Sequence, residues 1–377
     1  MRDTVRRYTT GLAAAAALLV TVLVPARAGA EPPELTGRLF ARQSFTSASF
    51  GDEPGVWQWT QSVASARLAA KYSYRDTVKT EVEVEFSDGK GKIRDAYVRY
   101  RPTRAFSLKA GRFKKPISAV QLEGLWSLPV IERGLLDELQ FGTVSLPIGG
   151  RGDGIELALD LRDLGDFPVE LQLVMLQSDI LTPLDVTEDL GADLYARATF
   201  AVTRDVDVGA TFGWIGYLEK PERGTGFRHA PVSGIDVTVT DRFVRVWAEV
   251  IAGIDTLPFA IDVATLDLPC SVDGEGNPVC PPFELIADRG LFVAARAVAS
   301  LRFRPGFVRI LEPFAAVTVL DLNTKFTADE ARQFGGGITA YFNKRLRAQL
   351  QVDRTTAKSD APVADTTRVL FQLGSSF

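Results

Sequence analysis

The chain has 377 residues, a formal net charge of −4, 24% charged residues and a single histidine, His229. An acidic total without a cluster of Lys and Arg disfavours a nucleic-acid partner, because duplex affinity comes mainly from basic side chains on phosphates. One histidine, expected in a loop, also disfavours histidine metal sites and Ser/His/Asp catalysis. We therefore expect no nucleic-acid partner, no metal, no cofactor and no enzymatic activity.

The amino terminus predicts export. Three arginines within the first seven residues precede an uncharged run from Gly11 to Val24, and small residues follow up to Ala30. This order is typical of a secretory signal peptide, and the run is shorter than the roughly 20 apolar residues of a membrane-spanning helix. We predict a signal peptide over residues 1–30 and a single domain over residues 31–377.

The two cysteines, Cys270 and Cys280, lie in a stretch rich in Gly and Pro. Export into an oxidising compartment permits them to form a disulfide, although two free thiols remain the alternative.

After residue 30 the hydrophobic pattern has a period of two. In residues 78–86 every second residue is Val, Thr or Phe, and those between are Lys79, Glu81, Glu83 and Glu85. Such a segment is a strand with one dry and one wet face. The pattern recurs and predicts sixteen strands, which start near residues 35, 63, 78, 93, 106, 154, 168, 191, 206, 233, 242, 291, 307, 332, 345 and 366.

The connections between these strands fall into two classes. Every second connection is a tight turn, such as 75–77 and 203–205, and those between are mostly longer, such as 114–152 and 255–289. Short periplasmic turns that alternate with long outer loops are typical of bacterial outer-membrane barrels, whereas a soluble sandwich has no reason to alternate so regularly. We predict an all-β fold, a transmembrane antiparallel β-barrel of about 16 strands in the outer membrane of a Gram-negative bacterium.

A barrel of this width leaves an aqueous channel, because side chains cannot fill it. The sequence therefore predicts a passive diffusion channel for small hydrophilic solutes. A barrel with a closed lumen that acts as a structural anchor or an outer-membrane enzyme is the alternative. Acidic residues nearly balance the basic residues predicted to face the lumen, which include Arg38, Arg42, Arg67, Lys71, Arg99, Lys109, Arg197, Arg245, Arg296 and Arg347.

The longest connection, residues 114–152, contains apolar residues such as Leu128, Val130 and Leu135. Loops of this length in compact folds are usually functional or disordered. The apolar content favours a loop that folds inward against the barrel wall and narrows the channel. An external flap is the alternative.

Three segments carry a resemblance to a known family: Asp95–Tyr100, Leu108–Ser118 and Ile131–Gly134. They resemble the phosphate-selective porin O/P family of outer-membrane channels, which have sixteen strands and are usually trimeric. The resemblance covers about residues 93–160 and implies a homotrimer in outer-membrane lipid that passes small anionic or neutral solutes, phosphate included. It also implies that the long loop is a constriction whose basic residues attract anions, here Lys114, Lys115, Arg133 and Arg151, with Glu132 among the acidic residues of the same loop.

Overall fold

The computed structural model describes residues 32–49, 56–87, 90–136, 150–163, 167–177, 192–218, 227–254, 271–272, 278–279, 291–321, 324, 330–358 and 365–377. The predicted signal peptide, both cysteines and residues 137–149 of the long loop lie outside these residues.

Sixteen antiparallel strands among the described residues close into one barrel, in which each strand pairs with the next barrel strand along the chain and β1 pairs with β18. The predicted fold is confirmed. The strands are β1 (Glu34–Ser49), β2 (Val56–Tyr74), β3 (Val78–Ser87), β4 (Lys90–Tyr100), β5 (Phe106–Lys114), β6 (Arg151–Asp160), β7 (Val169–Gln177), β8 (Ala192–Thr203), β9 (Val206–Leu218), β10 (Phe227–Thr240), β11 (Val244–Ile254), β14 (Leu291–Leu301), β15 (Ile310–Asp321), β16 (Glu330–Tyr341), β17 (Leu346–Ala357) and β18 (Asp365–Ser376).

Three short elements lie in the connections. Strands β12 (Ser271–Val272) and β13 (Pro278–Val279) form a small separate hairpin, helix α1 (Ala119–Leu122) lies in the long loop, and a 3-10 turn covers Leu161–Asp163. Within the part of the chain that the structure describes, no helix is long and apolar enough to cross a membrane.

The barrel strands have an apolar outer face and a polar inner face. On β6, Ile155 and Leu157 point outward and are exposed, whereas Glu156 between them is buried on the inside. Alternate side chains of a strand lie on opposite faces, so one pattern provides both surfaces. The tight-turn end of the outer face carries exposed aromatic side chains of the kind that lie at a membrane interface, namely Phe106, Phe200, Phe243, Phe303 and Phe342.

The barrel is closed by the pairing of β1 with β18. Gly37 and Phe377 exchange two backbone hydrogen bonds of 3.1 and 3.0 Å. A Cβ atom at position 37 would lie 2.1 Å from the Phe377 ring, so any larger residue there would require this exposed ring to move.

Two strand ends differ from the sequence prediction. Strand β2 begins at Val56 instead of near residue 63, and β10 begins at Phe227 instead of near residue 233. The prediction that His229 lies in an outer loop is therefore wrong. The extension of β10 contains Pro231, which disfavours a strand, whereas that of β2 consists mostly of strand-favouring residues such as Trp57, Trp59 and Thr60. In both, the neighbouring strand continues the hydrogen-bonded ladder, which pairs Trp59 with Phe45 and His229 with Gly216.

The β12–β13 hairpin generates a prediction about the cysteines. Its register pairs Ser271 with Val279, and the sequence neighbours of these two residues are Cys270 and Cys280, which lie outside the described residues. We expect the pairing to continue by one residue, and opposite positions in an antiparallel pair have Cα atoms about 4.5 to 5.5 Å apart, which suits a disulfide. We expect mass spectrometry after alkylation to find no modified cysteine without reductant and two with it. Alkylation of both cysteines without reductant would contradict the bridge.

Candidate functional site

The loop that follows β5 folds into the barrel. Its described residues bury Leu128 and Leu135 completely, and Val120 and Val130 pack with them against the inner wall. The predicted inward folding is thus confirmed for this half of the loop. The wall residues that receive it are Trp247, Val298 and Phe314 on β11, β14 and β15.

One ion pair on the wall binds the loop at two places, Ser118 and Arg133. Glu249 on β11 pairs with Arg296, which lies directly opposite on β14. The Ser118 hydroxyl donates to the Glu249 carboxylate at 2.8 and 2.9 Å, and it accepts from Arg296 at 3.0 Å and from the Gln121 N–H of α1 at 3.1 Å. Arg296 also donates to the carbonyl oxygen of Arg133 at 2.6 Å.

A second contact holds the turn after α1. Arg347 on β17 is fully buried, and its guanidinium donates to the carbonyl oxygens of Leu125, Trp126 and Leu128 at 3.0, 2.9 and 3.3 Å. The guanidinium carbon also lies 5.2 Å from the centre of the Phe40 ring and 4.7 Å from that of Trp126. Hydrogen bonds and cation–π contacts therefore converge on one side chain.

Neighbouring polar side chains of β16 and β17 extend this attachment. The carbonyl oxygen of Pro129 accepts from the Thr339 hydroxyl at 2.6 Å and from the Gln349 amide at 2.9 Å. The N–H of Ile131 donates to the Gln351 side chain at 2.6 Å. The inner face from β8 round to β1, which the loop contacts, is called the loop wall below.

The predicted constriction residue Lys115 lies on this loop wall. Its ammonium group pairs with Asp193 on β8 at 2.9 Å, and the two residues are 5% and 0% exposed. The charge of Lys115 is therefore balanced by a carboxylate at the wall.

The predicted bases Lys114 and Arg133 are bound to loop backbone. Lys114 donates to the carbonyl oxygens of Leu122 and Glu123 at 2.7 and 3.1 Å, at the end of α1. Arg133 donates to the same Glu123 carbonyl at 2.7 Å. This oxygen therefore connects the start of the loop, at Lys114, with the segment that contains Arg133.

The other two residues of the predicted constriction form ion pairs. Arg151 holds both carboxylate oxygens of Asp95 at 3.0 and 2.8 Å. Glu132 pairs with Arg42 on β1 at 2.7 Å and with Arg368 on β18 at 2.9 Å. The sequence thus identified residues of the right loop, but not their partners.

The remaining predicted lumen residues occupy inward positions. Arg42, Arg296 and Arg347 contact the inward loop, and Arg38 lies on the same face of β1 as Arg42. The others line the cavity described next or pair with inward carboxylates: Arg99, Lys109, Arg67, Lys71, Arg197 and Arg245.

A cavity of about 600 Å³ lies between the loop and the inner faces of β3–β7, which are called the open wall. Loop residues Lys114, Pro116 and Leu122 form one side of it. The charged side chains of the open wall that line it are Arg99, Arg101, Arg104 and Lys109 on the basic side and Glu81, Asp95, Glu156, Asp160 and Glu170 on the acidic side.

The acidic and basic groups of this cavity are not equivalent. All five carboxylates are within 4 Å of a basic nitrogen, provided by Lys71, Lys79, Lys109, Arg151 and Arg162. In contrast, among the residues that the structure describes, no carboxylate oxygen lies within 4 Å of Arg99, Arg104 or Lys114. The cavity therefore presents a surplus of positive charge.

Sequence reasoning placed Glu249 and Asp193 on the inner face of the barrel but did not predict that they bind the loop, and it missed the loop attachment through Ser118, Thr339 and Gln349. A signal for the loop wall is nevertheless present in the sequence. At inward positions of β11, β14 and β15, apolar residues such as Trp247, Val298 and Phe314 interrupt the polar pattern. A strand that is apolar on both faces must bury both, one against the membrane and one against another segment of the chain.

Residues 50–157 match the model of a family described as phosphate-selective porin O and P. This match covers less than a third of the chain and shows a similarity to that family over this segment. The resemblance that the sequence indicated over residues 93–160 is confirmed. None of the curated proteins compared with this chain matches it significantly.

Solved structures share the fold of this chain. The outer membrane channel DcaP of Acinetobacter baumannii aligns with a TM-score of 0.62 and 15% identity, over 93% of this chain and 99% of that one. An anion-selective porin from Comamonas acidovorans aligns with a TM-score of 0.60 and 10% identity, over 92% of this chain and 99% of that one. A trimer form of OmpT from Vibrio cholerae aligns with a TM-score of 0.52 and 14% identity, over 92% of this chain and 99% of that one.

The Lys115–Asp193 pair generates a prediction about stability. Lys115→Met leaves Asp193 charged and buried without its base, and such a loss typically costs about 3–5 kcal/mol. We expect a clearly lower temperature of barrel unfolding, measured by circular dichroism, and partial recovery when Asp193→Asn is added.

The matched control is Lys358→Met, which removes an exposed ion pair with Glu330 and should change the unfolding temperature little. An unfolding temperature of Lys115→Met equal to that of the parent would show that the buried pair does not stabilise the loop.

Proposed function

We propose that this chain is a passive diffusion channel of the Gram-negative outer membrane that prefers small anions. The observation that carries the proposal is the cavity between the loop and the open wall, where, among the described residues, no carboxylate oxygen lies within 4 Å of Arg99, Arg104 or Lys114. A barrel of sixteen strands is wide enough for water, and the loop restricts the route to one side of the lumen.

The route for solutes runs along the open wall. The loop covers the wall from β8 round to β1 and is attached there through Glu249, Arg347 and Gln349. The cavity of about 600 Å³ remains on the other side of the loop. This arrangement favours a diffusion channel over a structural anchor with a closed lumen or a barrel enzyme.

The preference for anions follows from the order of the basic residues. Arg99 lies on the inward face of β4, Arg101 and Arg104 follow in the tight turn, and Lys114 lies where β5 enters the loop. Together they form a basic strip from the tight-turn end of the cavity to the loop. In a narrow aqueous passage fixed charges of one sign bias which ions enter.

The comparisons support a preference for anions. The matching family is described as phosphate-selective, and the Comamonas acidovorans porin as anion-selective. We propose small anions, with phosphate among them, as solutes of this chain, and no catalytic role.

We also propose the cellular setting of this channel. Residues 1–30 serve as an export signal, the exposed apolar outer face contacts membrane lipid, and three copies assemble as in the trimer form of Vibrio cholerae OmpT.

The basic strip generates a prediction about ion selectivity. Purified protein should insert into planar bilayers and conduct, with a reversal potential in a salt gradient that shows anion preference. The triple variant Arg99→Gln, Arg104→Gln, Lys114→Gln should shift the reversal potential toward cations. The difference between variant and parent should shrink near 1 M salt, because the Debye length falls from about 10 Å at 0.1 M to about 3 Å.

Lys344→Gln, in an exposed tight turn outside the cavity, is the matched control and should keep the reversal potential of the parent. A triple variant that also keeps it at low salt would refute the role of the basic strip. Insertion without conductance would refute the channel itself.

A further inference from the structure

We propose that Arg347 is a positioning residue that keeps the solute route open by holding the loop turn at residues 125–128 on the loop wall. The inference rests on the proposed channel function, and it assigns to a residue outside the cavity a role in steady conduction.

The geometry of Arg347 suits this role. Three carbonyl oxygens of the turn, from Leu125, Trp126 and Leu128, lie within 3.3 Å of its two terminal nitrogens. A guanidinium offers several N–H donors in a rigid planar fork, whereas an ammonium group is a compact point charge. Arginine is therefore the side chain that can bind all three oxygens from one position on β17.

The surroundings of Arg347 fix the turn in one place. The rings of Phe40 and Trp126 lie 5.8 Å apart at a tilt of 43°, and both contact the guanidinium. Gly374, which lies opposite Arg347 on β18, leaves room for these rings. A Cβ atom at Gly374 would lie 3.0 Å from Phe40 and 3.2 Å from Trp126.

The loop has space to move in one direction. The barrel wall lies behind the turn, and the cavity lies on the side where Leu122 contributes to its lining. Leu125 lies three positions after Leu122 along the chain, so a turn released from Arg347 shifts toward the solute route. Loss of Arg347 is therefore expected to obstruct the channel intermittently instead of widening it.

Single-channel recording of Arg347→Met tests this role. Methionine keeps an unbranched apolar side chain against the two rings but removes every donor to the turn. We expect at least several-fold more frequent partial closures than in the parent, and a lower mean current. Arg347→Lys, which retains a charge but cannot span three carbonyls, should be intermediate.

Two further variants complete the experiment. Arg345→Gln changes an exposed arginine in the adjacent tight turn, and its channels should close as often as those of the parent. Thr339→Val removes one donor to Pro129 without changing side-chain volume, so it provides a milder release if Arg347→Met does not fold. It should also close more often than the parent.

The outcomes separate this inference from the proposed function. One outcome is that the parent conducts while Arg347→Met closes no more often than the parent does. That result, or the same result for Thr339→Val where Arg347→Met does not fold, overturns the positioning role and leaves the channel intact. A lower unfolding temperature without added closures would assign Arg347 a structural role alone and also overturn it. A parent that carries no current overturns both proposals.

Discussion

The architecture depends on the requirement that every backbone polar group in a bilayer finds a partner within the protein. A closed sheet meets this requirement, and pairing β1 with β18 removes the last free edge. A ring of sixteen strands, however, encloses more space than its own side chains can fill. What enters the lumen from a loop then decides where solutes pass. Here the entering segment lies on the loop wall and leaves the open wall exposed to water.

The two walls differ in how their charges are used. On the loop wall, Arg296, Arg347 and Lys115 are buried and bound by carboxylates or by loop carbonyl oxygens, so these charges act as attachment points. Gly134 shows how closely the loop lies there, because its φ is +92° and a Cβ would be 2.6 Å from the Thr318 hydroxyl. On the open wall, the carboxylates are paired and the surplus is basic. The charges that attach the loop and the surplus of basic groups therefore lie on opposite sides of one lumen.

The sequence predicted the fold well because apolar and polar side chains alternate along a strand that has lipid on one face and the lumen on the other, as residues 78–86 of β3 show. It failed at the first residues of β2, although several of them favour a strand, and at those of β10, where pairing with β9 outweighs the local effect of Pro231. The loop was identified through its apolar residues and its charges. The partner of Lys115 was not, since Asp193 is 78 residues away along the chain and only the closed barrel brings them together.

The central claim is that water fills the lumen on the open wall and not behind the loop. Cysteines introduced singly at Ser107, which lines the cavity, and at Gln349, buried beneath the loop, distinguish these locations. A charged methanethiosulfonate added during bilayer recording should react with Ser107→Cys and change the current, and should leave Gln349→Cys unaffected. Rapid reaction at Gln349→Cys, with none at Ser107→Cys, would contradict the account.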